Sequence, residues 1–463
     1  MTNNIQLISP VDGRVYAERR YADAAQIEQA LVAASTAQAQ WKRRPLSERA
    51  ALCSAAVDAM LAMKDEIVPE LAWQIGRPVR YGAGELRGFE ERARHMIAIA
   101  PEALAAVEPA PVAGFRRQIK REPVGTVLVV APWNYPYLTA VNSIIPALMA
   151  GNSVILKHAS QTLLVGERFA EAMRRANLPA GLFHNLLLDH RQTTAIITSG
   201  RVQQVNFTGS VQAGTVMEAA AMGRFLGIGL ELGGKDPGYV RADANLAHAV
   251  ENLVDGSFFN SGQSCCAIER IYVDRKIYPA FVERFVDLTR QYVLGNPLDE
   301  ATTLGPLVSP DAAEFVRGQI ADAMVHGARA LIDTKAFAAN APGSAYLAPQ
   351  VLVDVTHDMA LMREESFGPV VGIMPVSGDD EAIALMNDSA FGLSASIWTQ
   401  DLAAAERIGD EIATGTVFMN RCDYLDPALA WTGVKNSGRG VTLSRIGYEH
   451  LTRAKSFHLR HEI

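Results

Sequence analysis

From residue 124 onward the chain alternates short apolar runs with helical stretches, and this limits the possible folds more than any other feature. Residues 124–131 form a β-branched run that stops at Pro132, and residues 143–150 read as a helix with Pro146 near its start, closed by Gly151 and Asn152. An apolar run at 153–156, a helical stretch at 163–175 and short runs at 183–188 and 204–207 follow. Strands apolar on both faces need cover on both, and helices returning between them supply it, so the segment predicts a parallel sheet covered by helices. A second α/β region begins near Gly233-Gly234, with strands at 271–273 and 370–374, helices at 278–293 and 311–326, and a turn at Asn340-Ala-Pro-Gly-Ser344. Upstream, residues 23–106 space apolar residues such as Ala50, Cys53, Val57, Met60 and Leu61 as amphipathic helices do. Residues 108–114 break that pattern. Residues 115–122 read as an exposed arm, and the weakly alternating segment 452–463 as an edge strand.

At 463 residues there is chain for about three domains. The 43 Lys+Arg against 50 Asp+Glu give a net charge of −7, which argues against a nucleic-acid binder, whose phosphate contacts need clustered cations. No run approaches the roughly 18 consecutive apolar residues of a membrane span, and the first residues lack the basic-then-apolar pattern of a secretory signal. Four cysteines (Cys53, Cys265, Cys266 and Cys422) make no disulfide framework in so long a chain, so a reducing, cytoplasmic setting is expected.

The segment Phe259-Asn-Ser-Gly-Gln-Ser-Cys-Cys-Ala-Ile-Glu-Arg270 carries the most chemistry. Adjacent cysteines do not readily pair with each other, and no further Cys or His stands at metal-ligand spacing nearby. They are either two small buried hydrophobes or a nucleophile and its neighbour. Gly262-Gln263-Ser264 predicts a tight turn; a cysteine on a turn that opens a helix gains from the helix dipole, and Arg270 is near enough in sequence to support a thiolate. Ser264 is a poor nucleophile, since its surroundings lack the closing glycine of a hydrolase elbow. Glu231 ends the apolar run 226–230 and is either ion-paired or, if buried, a general base with a raised pKa. Asn134 sits between two prolines at a strand end, where α/β proteins place ligands; its amide either donates to an oxyanion or only makes a turn. Neither the dinucleotide glycine fingerprint nor a P-loop is present. Phe207-Thr-Gly-Ser210 either offers backbone N–H groups to a phosphate or is simply a turn, and Lys157 either reaches a ribose or phosphate or ends its strand in solvent.

Taken together, these segments resemble the aldehyde dehydrogenase superfamily. Pro132-Trp-Asn-Tyr-Pro136, Lys157, Phe207-Thr-Gly-Ser210, Glu231-Leu-Gly-Gly-Lys235, Gly262-Gln-Ser-Cys265 and Glu364-Glu-Ser-Phe-Gly-Pro369 stand in its order and approximate spacing. Leu304-Gly-Pro-Leu-Val308, Asn420 and Gly433-Val-Lys-Asn-Ser-Gly438 agree, so the resemblance spans nearly the whole chain. It implies an α/β fold with a Rossmann-like cofactor domain (residues 1–111 and 127–232), an α/β catalytic domain (233–447) and a small β oligomerisation arm (112–126 and 448–463). It implies Cys265 as nucleophile, Glu231 as the base that activates hydrolytic water, and Asn134 with the Cys265 N–H as oxyanion hole. NAD or NADP would be held by Trp133, Lys157, Ser160, Gly209, Ser210, Glu365 and Phe367, with no metal. The partner would be a small-molecule aldehyde, with no nucleic acid or membrane, in a homodimer or homotetramer. Relatives that pass the acyl group to coenzyme A typically lack the glutamate, so Glu231 implies a free acid as product. A cysteine hydrolase would need a histidine partner, and none of the ten histidines sits in a matching motif. A non-catalytic structural member of the same fold would tolerate loss of Cys265, Glu231 or Asn134, and all three are present.

Four departures from the family pattern stand out. Ser160 replaces a glutamate that repels a 2′-phosphate, so NADP is expected to be tolerated. Ser143 stands where many members carry a lysine, and Arg453 where a relay glutamate is often found, which puts their proton relay in doubt here. Ala430-Trp-Thr-Gly433 alters the wall near the substrate entrance. For the substrate, Arg421 is either a carboxylate anchor for succinate semialdehyde or a related semialdehyde, or an exposed loop arginine neutralised by Asp423 and Asp426. Tyr135, Phe259 and Trp431 equally suit an aromatic pocket for uncharged aldehydes.

Overall fold

The protein is described by a computed structural model covering residues 4–463. An antiparallel ribbon, β1 (Asn4–Ile8) and β2 (Val15–Arg20), precedes helices α1 (Ala24–Trp41), α2 (Leu46–Leu61), α3 (Lys64–Ile75) and α4 (Val79–Ala103). The α1 start is written locally: the Asp23 carboxylate accepts the Gln26 N–H while the Gln26 side chain accepts the Asp23 N–H. Gly76 ends α3 at φ 74°, a conformation that favours glycine. Then come β3 (Phe115–Pro123), β4 (Thr126–Ala131), α5 (Pro136–Ala150), β5 (Ser153–His158), α6 (Leu163–Arg175), β6 (Phe183–Asn185), α7 (His190–Thr198), β7 (Gln204–Thr208), α8 (Val211–Ala221) and β8 (Gly227–Glu231). The helix expected to begin near Pro146 begins at Pro136 instead. A proline has no N–H to lose in a first turn and its fixed φ suits one, and the prolines at both positions are accommodated in α5.

Strands β8, β7, β4, β5 and β6 lie side by side and parallel. Alternate residues of β4 serve two cores: Val127, Val129 and Ala131 pack with α2, α4, α5 and α6, while Leu128 and Val130 pack with α1, α7 and α8. That double burial is why the run is apolar throughout.

A second sheet is built from β9 (Asp236–Val240), α9 (Leu246–Phe258), β10 (Ile268–Asp274), α10 (Tyr278–Thr289), α11 (Pro310–Val325), β11 (Arg329–Ala330), β12 (Gln350–Val353), α12 (Ala360–Arg363), β13 (Val370–Val376), α13 (Asp379–Asn387), β14 (Phe391–Gly392), β15 (Ser394–Trp398), α14 (Leu402–Glu411) and β16 (Thr416–Met419). Its order is β11-β12-β13-β10-β9-β15-β16, parallel except for β11.

The chain then returns to the first unit. After β17 (Val434–Lys435), which pairs with β14, β18 (Gly438–Arg439) adds to the first sheet antiparallel to β8. Trp431, Leu443, Tyr448 and Leu451 pack in the same core as α5. Within the expected catalytic segment, residues 233–447, the second sheet ends at Met419, and much of the chain beyond that strand packs in the core of the first sheet. Strand β19 (Thr452–Arg460) pairs antiparallel with β3, from Phe115 opposite Arg460 to Pro123 opposite Thr452, as a separate two-stranded ribbon.

Candidate active site

Because β4, β5, β7 and β8 are parallel, their carboxyl ends share one edge of the sheet. Sequence order reverses between β4 and β7, which leaves a crevice there. Trp133 and Asn134 follow β4, Ser160 follows β5, and Gly209 and Ser210 follow β7, while Lys157 and Glu231 stand at the ends of β5 and β8. Ser210 caps α8 by accepting the Ala213 N–H at 3.3 Å, so a helix N-terminus opens onto this edge. Lys157 is half-buried, burial lowers its pKa, and its ammonium forms no ion pair among the described residues. Ser160 is exposed. Across the crevice, Glu365 accepts the Gly234 N–H at 3.0 Å, and burial pushes its carboxyl up to about 8. Phe367, at φ 53°, sets its ring 5.5 Å from that of Trp133 at an interplanar angle of 80°. A helix N-terminus, an unpaired ammonium and two facing aromatics suit a dinucleotide.

Cys265 lies between a short 3-10 turn (Phe259–Gly262) and β10. The expectation that it opens a helix is corrected, since the chain runs on into a strand and provides no dipole of its own. Arg270 does not reach the thiol either: it is buried, donating to the Lys235 carbonyl at 2.9 Å and the Met386 carbonyl at 3.2 Å. The turn is bound into place instead. Asn260, Ser261 and Gly262 have φ of 53°, 58° and 71°; Ser261 Oγ donates to the Gly305 carbonyl at 2.8 Å, and Gln263 Oε1 accepts the Val308 N–H at 2.8 Å. Asn134 Nδ2 donates to the Gln263 carbonyl at 3.2 Å, which brings the Asn134 amide beside the cysteine loop while keeping it out of the cavity wall.

The other thiols are poorer nucleophiles. Burial pushes Cys53 up to about 12 and Cys422 well up. Cys266 is raised by its contact with Cys265 and by burial, and its S–H donates to Asp423 Oδ1 at 2.9 Å. Cys265 is the half-exposed one beside the cavity.

Sequence reasoning missed a tie that holds this arrangement. Glu85, on α4, accepts the Tyr137 N–H at 2.9 Å and the Leu138 N–H at 3.1 Å, capping α5 from outside. It pairs with Arg77, whose guanidinium also donates to the Asn134 carbonyl and, at 3.1 Å, to Asn260 Oδ1. One buried ion pair thus joins the α3–α4 turn, the start of α5 and the cysteine loop. Its partners are remote in sequence, so no local pattern announces it.

Cys265, Glu231, Tyr135, Phe259 and Trp431 line one cavity of about 420 Å³, with α4 as another wall. The Phe259 ring packs edge-on at 5.2 Å from Tyr81, and the Arg77 guanidinium lies 4.7 Å over the Tyr135 ring. Glu231 forms no ion pair among the described residues: it accepts from Thr208 Oγ1 at 2.9 Å and from Thr442 Oγ1, and burial raises its pKa against those hydrogen bonds. Behind it, Asn206 Nδ2 lies 3.1 Å from Ser143 Oγ and 3.3 Å from His450 Nε2, and burial takes His450 down to about 4. Arg453 is away from this group, on β19 beside Glu122 at 3.8 Å.

Arg421 does not join the cavity with Cys265, which corrects the anchor expected there. Its guanidinium lies 3.8 Å over the Tyr424 ring, on the rim of a separate space of about 90 Å³. Asp423 does not neutralise it, being turned inward to Ser264 and Cys266.

The profile described as "Aldehyde dehydrogenase family" matches residues 1–457. A protein named succinate-semialdehyde dehydrogenase [NADP(+)] from Mycolicibacterium paratuberculosis is 36% identical over 417 residues, covering 89% of this chain and 87% of that one. One named betaine aldehyde dehydrogenase from Agrobacterium fabrum is 33% identical over 454 residues, covering 98% and 92%. The crystal structure of NADP-dependent glyceraldehyde-3-phosphate dehydrogenase from Bacillus halodurans C-125, complexed with NADP, superposes with a TM-score of 0.93 at 30% identity, covering 100% of this chain and 96% of that one.

Proposed function

The chain belongs to the aldehyde dehydrogenase family, and on that premise we propose that it carries an aldehyde through a covalent adduct on Cys265 to the free carboxylic acid. It is an oxidoreductase that oxidises aldehydes with NAD or NADP. The observation that carries the proposal is the shared cavity: Cys265 and Glu231 line one space at the carboxyl edge of the first sheet.

The Cys265 thiolate attacks the aldehyde carbon to give a thiohemiacetal. Its oxygen is met by the Cys265 N–H and by Asn134, whose Nδ2 already lies beside the cysteine loop at the Gln263 carbonyl. Trp133 and Phe367, with Lys157 and Ser160 toward the adenosine ribose, Gly209 and Ser210 at the pyrophosphate and Glu365 at the nicotinamide ribose, would hold the dinucleotide, which when bound would supply the hydride acceptor. Glu231 then takes a proton from water as that water attacks the thioester, releasing the acid and freeing the thiol. An aldehyde-dependent rise in nicotinamide absorbance with stoichiometric acid tests the reading; acyl transfer to coenzyme A in preference to water would count against it.

Ser160 leaves the ribose edge without a carboxylate. We expect Ser160→Glu to lower kcat/KM for NADP by about 10-fold or more relative to NAD, because a carboxylate beside the 2′-phosphate repels it. Cofactor titrations of both proteins check this, and an unchanged NADP/NAD ratio would place the 2′-hydroxyl elsewhere.

Apart from a bridge between Val107 and Ile119, the β3–β19 ribbon leaves its outer strand edges unpaired among the described residues, so a homodimer or homotetramer is the assembly we propose. Light scattering at micromolar concentration is expected to give at least twice the chain mass of 50.0 kDa, and a monomer would refute it. No helix among the described residues is long and apolar enough to cross a membrane, and four free cysteines suit a reducing cytoplasm.

A further inference from the structure

One wall of the Cys265 cavity is a single face of α4. Tyr81, Glu85, Gly88 and Arg92 recur at helical spacing along it. Gly88 lets α4 approach α5 closely, since a Cβ there would lie 2.5 Å from Leu138. One turn further on, Arg92 Nη1 donates to the Leu138 carbonyl at 2.9 Å and lies 3.4 Å from Asn142 Oδ1. Those contacts anchor the guanidinium without spending it: Nε and Nη2 have no acceptor among the described residues, and no carboxylate forms an ion pair with the group.

The acids around the cavity form their hydrogen bonds elsewhere, although Glu85, Glu231 and Asp423 lie near enough for their charges to act on Arg92. Glu85 closes on Arg77 and the α5 amides, Glu231 on Thr208 and Thr442, and Asp423 on Ser264 and Cys266. Glu91 and Asp255 stand exposed at the rim, Glu91 accepting from the Tyr424 hydroxyl at 2.8 Å. Beside Arg92, Asn142 is 2% exposed, and its Nδ2 has no acceptor among the described residues. A guanidinium stays charged when desolvated and is costly without an anion, and its planar fork matches a carboxylate.

We propose that Arg92, with Asn142 beside it, binds the anionic end of the substrate, so that the enzyme selects short aldehydes bearing a carboxylate over uncharged ones. This rests on the reading of the Cys265 cavity as the oxidising site and gives to Arg92 the role that Arg421, outside the cavity, does not fill.

Succinate semialdehyde and butanal share a four-carbon chain and differ in the carboxylate. The wild-type enzyme is expected to favour the former, and Arg92→Leu to lower the ratio of their kcat/KM values by roughly 100-fold. Arg92→Lys, which keeps the charge and loses the fork, should lie between. Succinate itself reads the subsite without turnover: calorimetry should show binding to the wild-type protein that weakens at least 10-fold in Arg92→Leu, with circular dichroism unchanged. A ratio within about threefold of wild type in Arg92→Leu, a wild type that prefers butanal, or succinate binding indifferent to Arg92 overturns the proposal. Arg92-dependent succinate binding with no oxidation of either aldehyde would uphold the subsite and refute the oxidising role of the cavity.

Discussion

Cys265→Ala is expected to abolish aldehyde-dependent NAD(P)H formation, a loss of about 10⁴-fold or more, while Cys266→Ala retains the reaction. The two thiols both line the cavity but differ in exposure and in partner. Cys265 is half-exposed at the cavity that Glu231 also lines. Cys266 is buried, and its S–H is spent on Asp423. Forming a thiolate there would set a second negative charge against that carboxylate in a desolvated place, so the contact with Cys265, burial and the acid act together against nucleophilicity. Removing Cys266 deletes a part-buried hydrogen bond, at a cost of about 1 kcal/mol in stability. Steady-state assays on both variants, with mass spectrometry of the quenched enzyme to locate the acyl adduct, separate the roles. Equal loss in the two variants, or an adduct on Cys266, would reassign the nucleophile.

The parallel sheet is readable because the runs of β4 and β5 are buried on both faces, and double burial leaves a signature in a few consecutive residues. Residues at the ends of those runs were likewise placed on one edge by topology alone: parallel strands put Asn134, Gly209 and Glu231 on the same side before any contact is known. What local pattern could not carry is contact across the chain. The Arg77–Glu85 pair works by gripping Asn134 and Asn260, and none of those spacings repeats a helix or strand period. Arg421 and Arg92 show the same limit for substrate choice. An arginine beside a motif looked relevant because of its neighbours in sequence, whereas the one facing the cavity belongs to a helix whose pattern is that of ordinary amphipathic packing. Pro136 and Pro146 mark a smaller case: both stand in one helix, and sequence alone does not say which proline begins it.

Glu231→Gln is expected to split the reaction at its midpoint. Thiohemiacetal formation and hydride loss need the thiol, the oxyanion donors and the dinucleotide, but no base at Glu231, so the first turnover should still release about one NAD(P)H per active site. Hydrolysis does need the base, and the steady rate after that burst should fall by about 10²–10⁴-fold. The variant should then accumulate the thioester, visible as an acyl mass on the peptide containing Cys265. Glutamine preserves the shape and can still meet Thr208 and Thr442, so the loss isolates the proton-accepting role from packing. The wild-type pH profile gives an independent check. Burial raises the Glu231 pKa above the usual carboxylate value, and its base form is lost as pH falls through that raised value. The acid limb of the steady rate should accordingly lie above the range of an exposed glutamate, while the burst amplitude stays level across the same window. If Glu231→Gln slowed the burst as much as the steady rate, the carboxylate would be acting on the thiol rather than on water, and the free-acid product would need another base to form it.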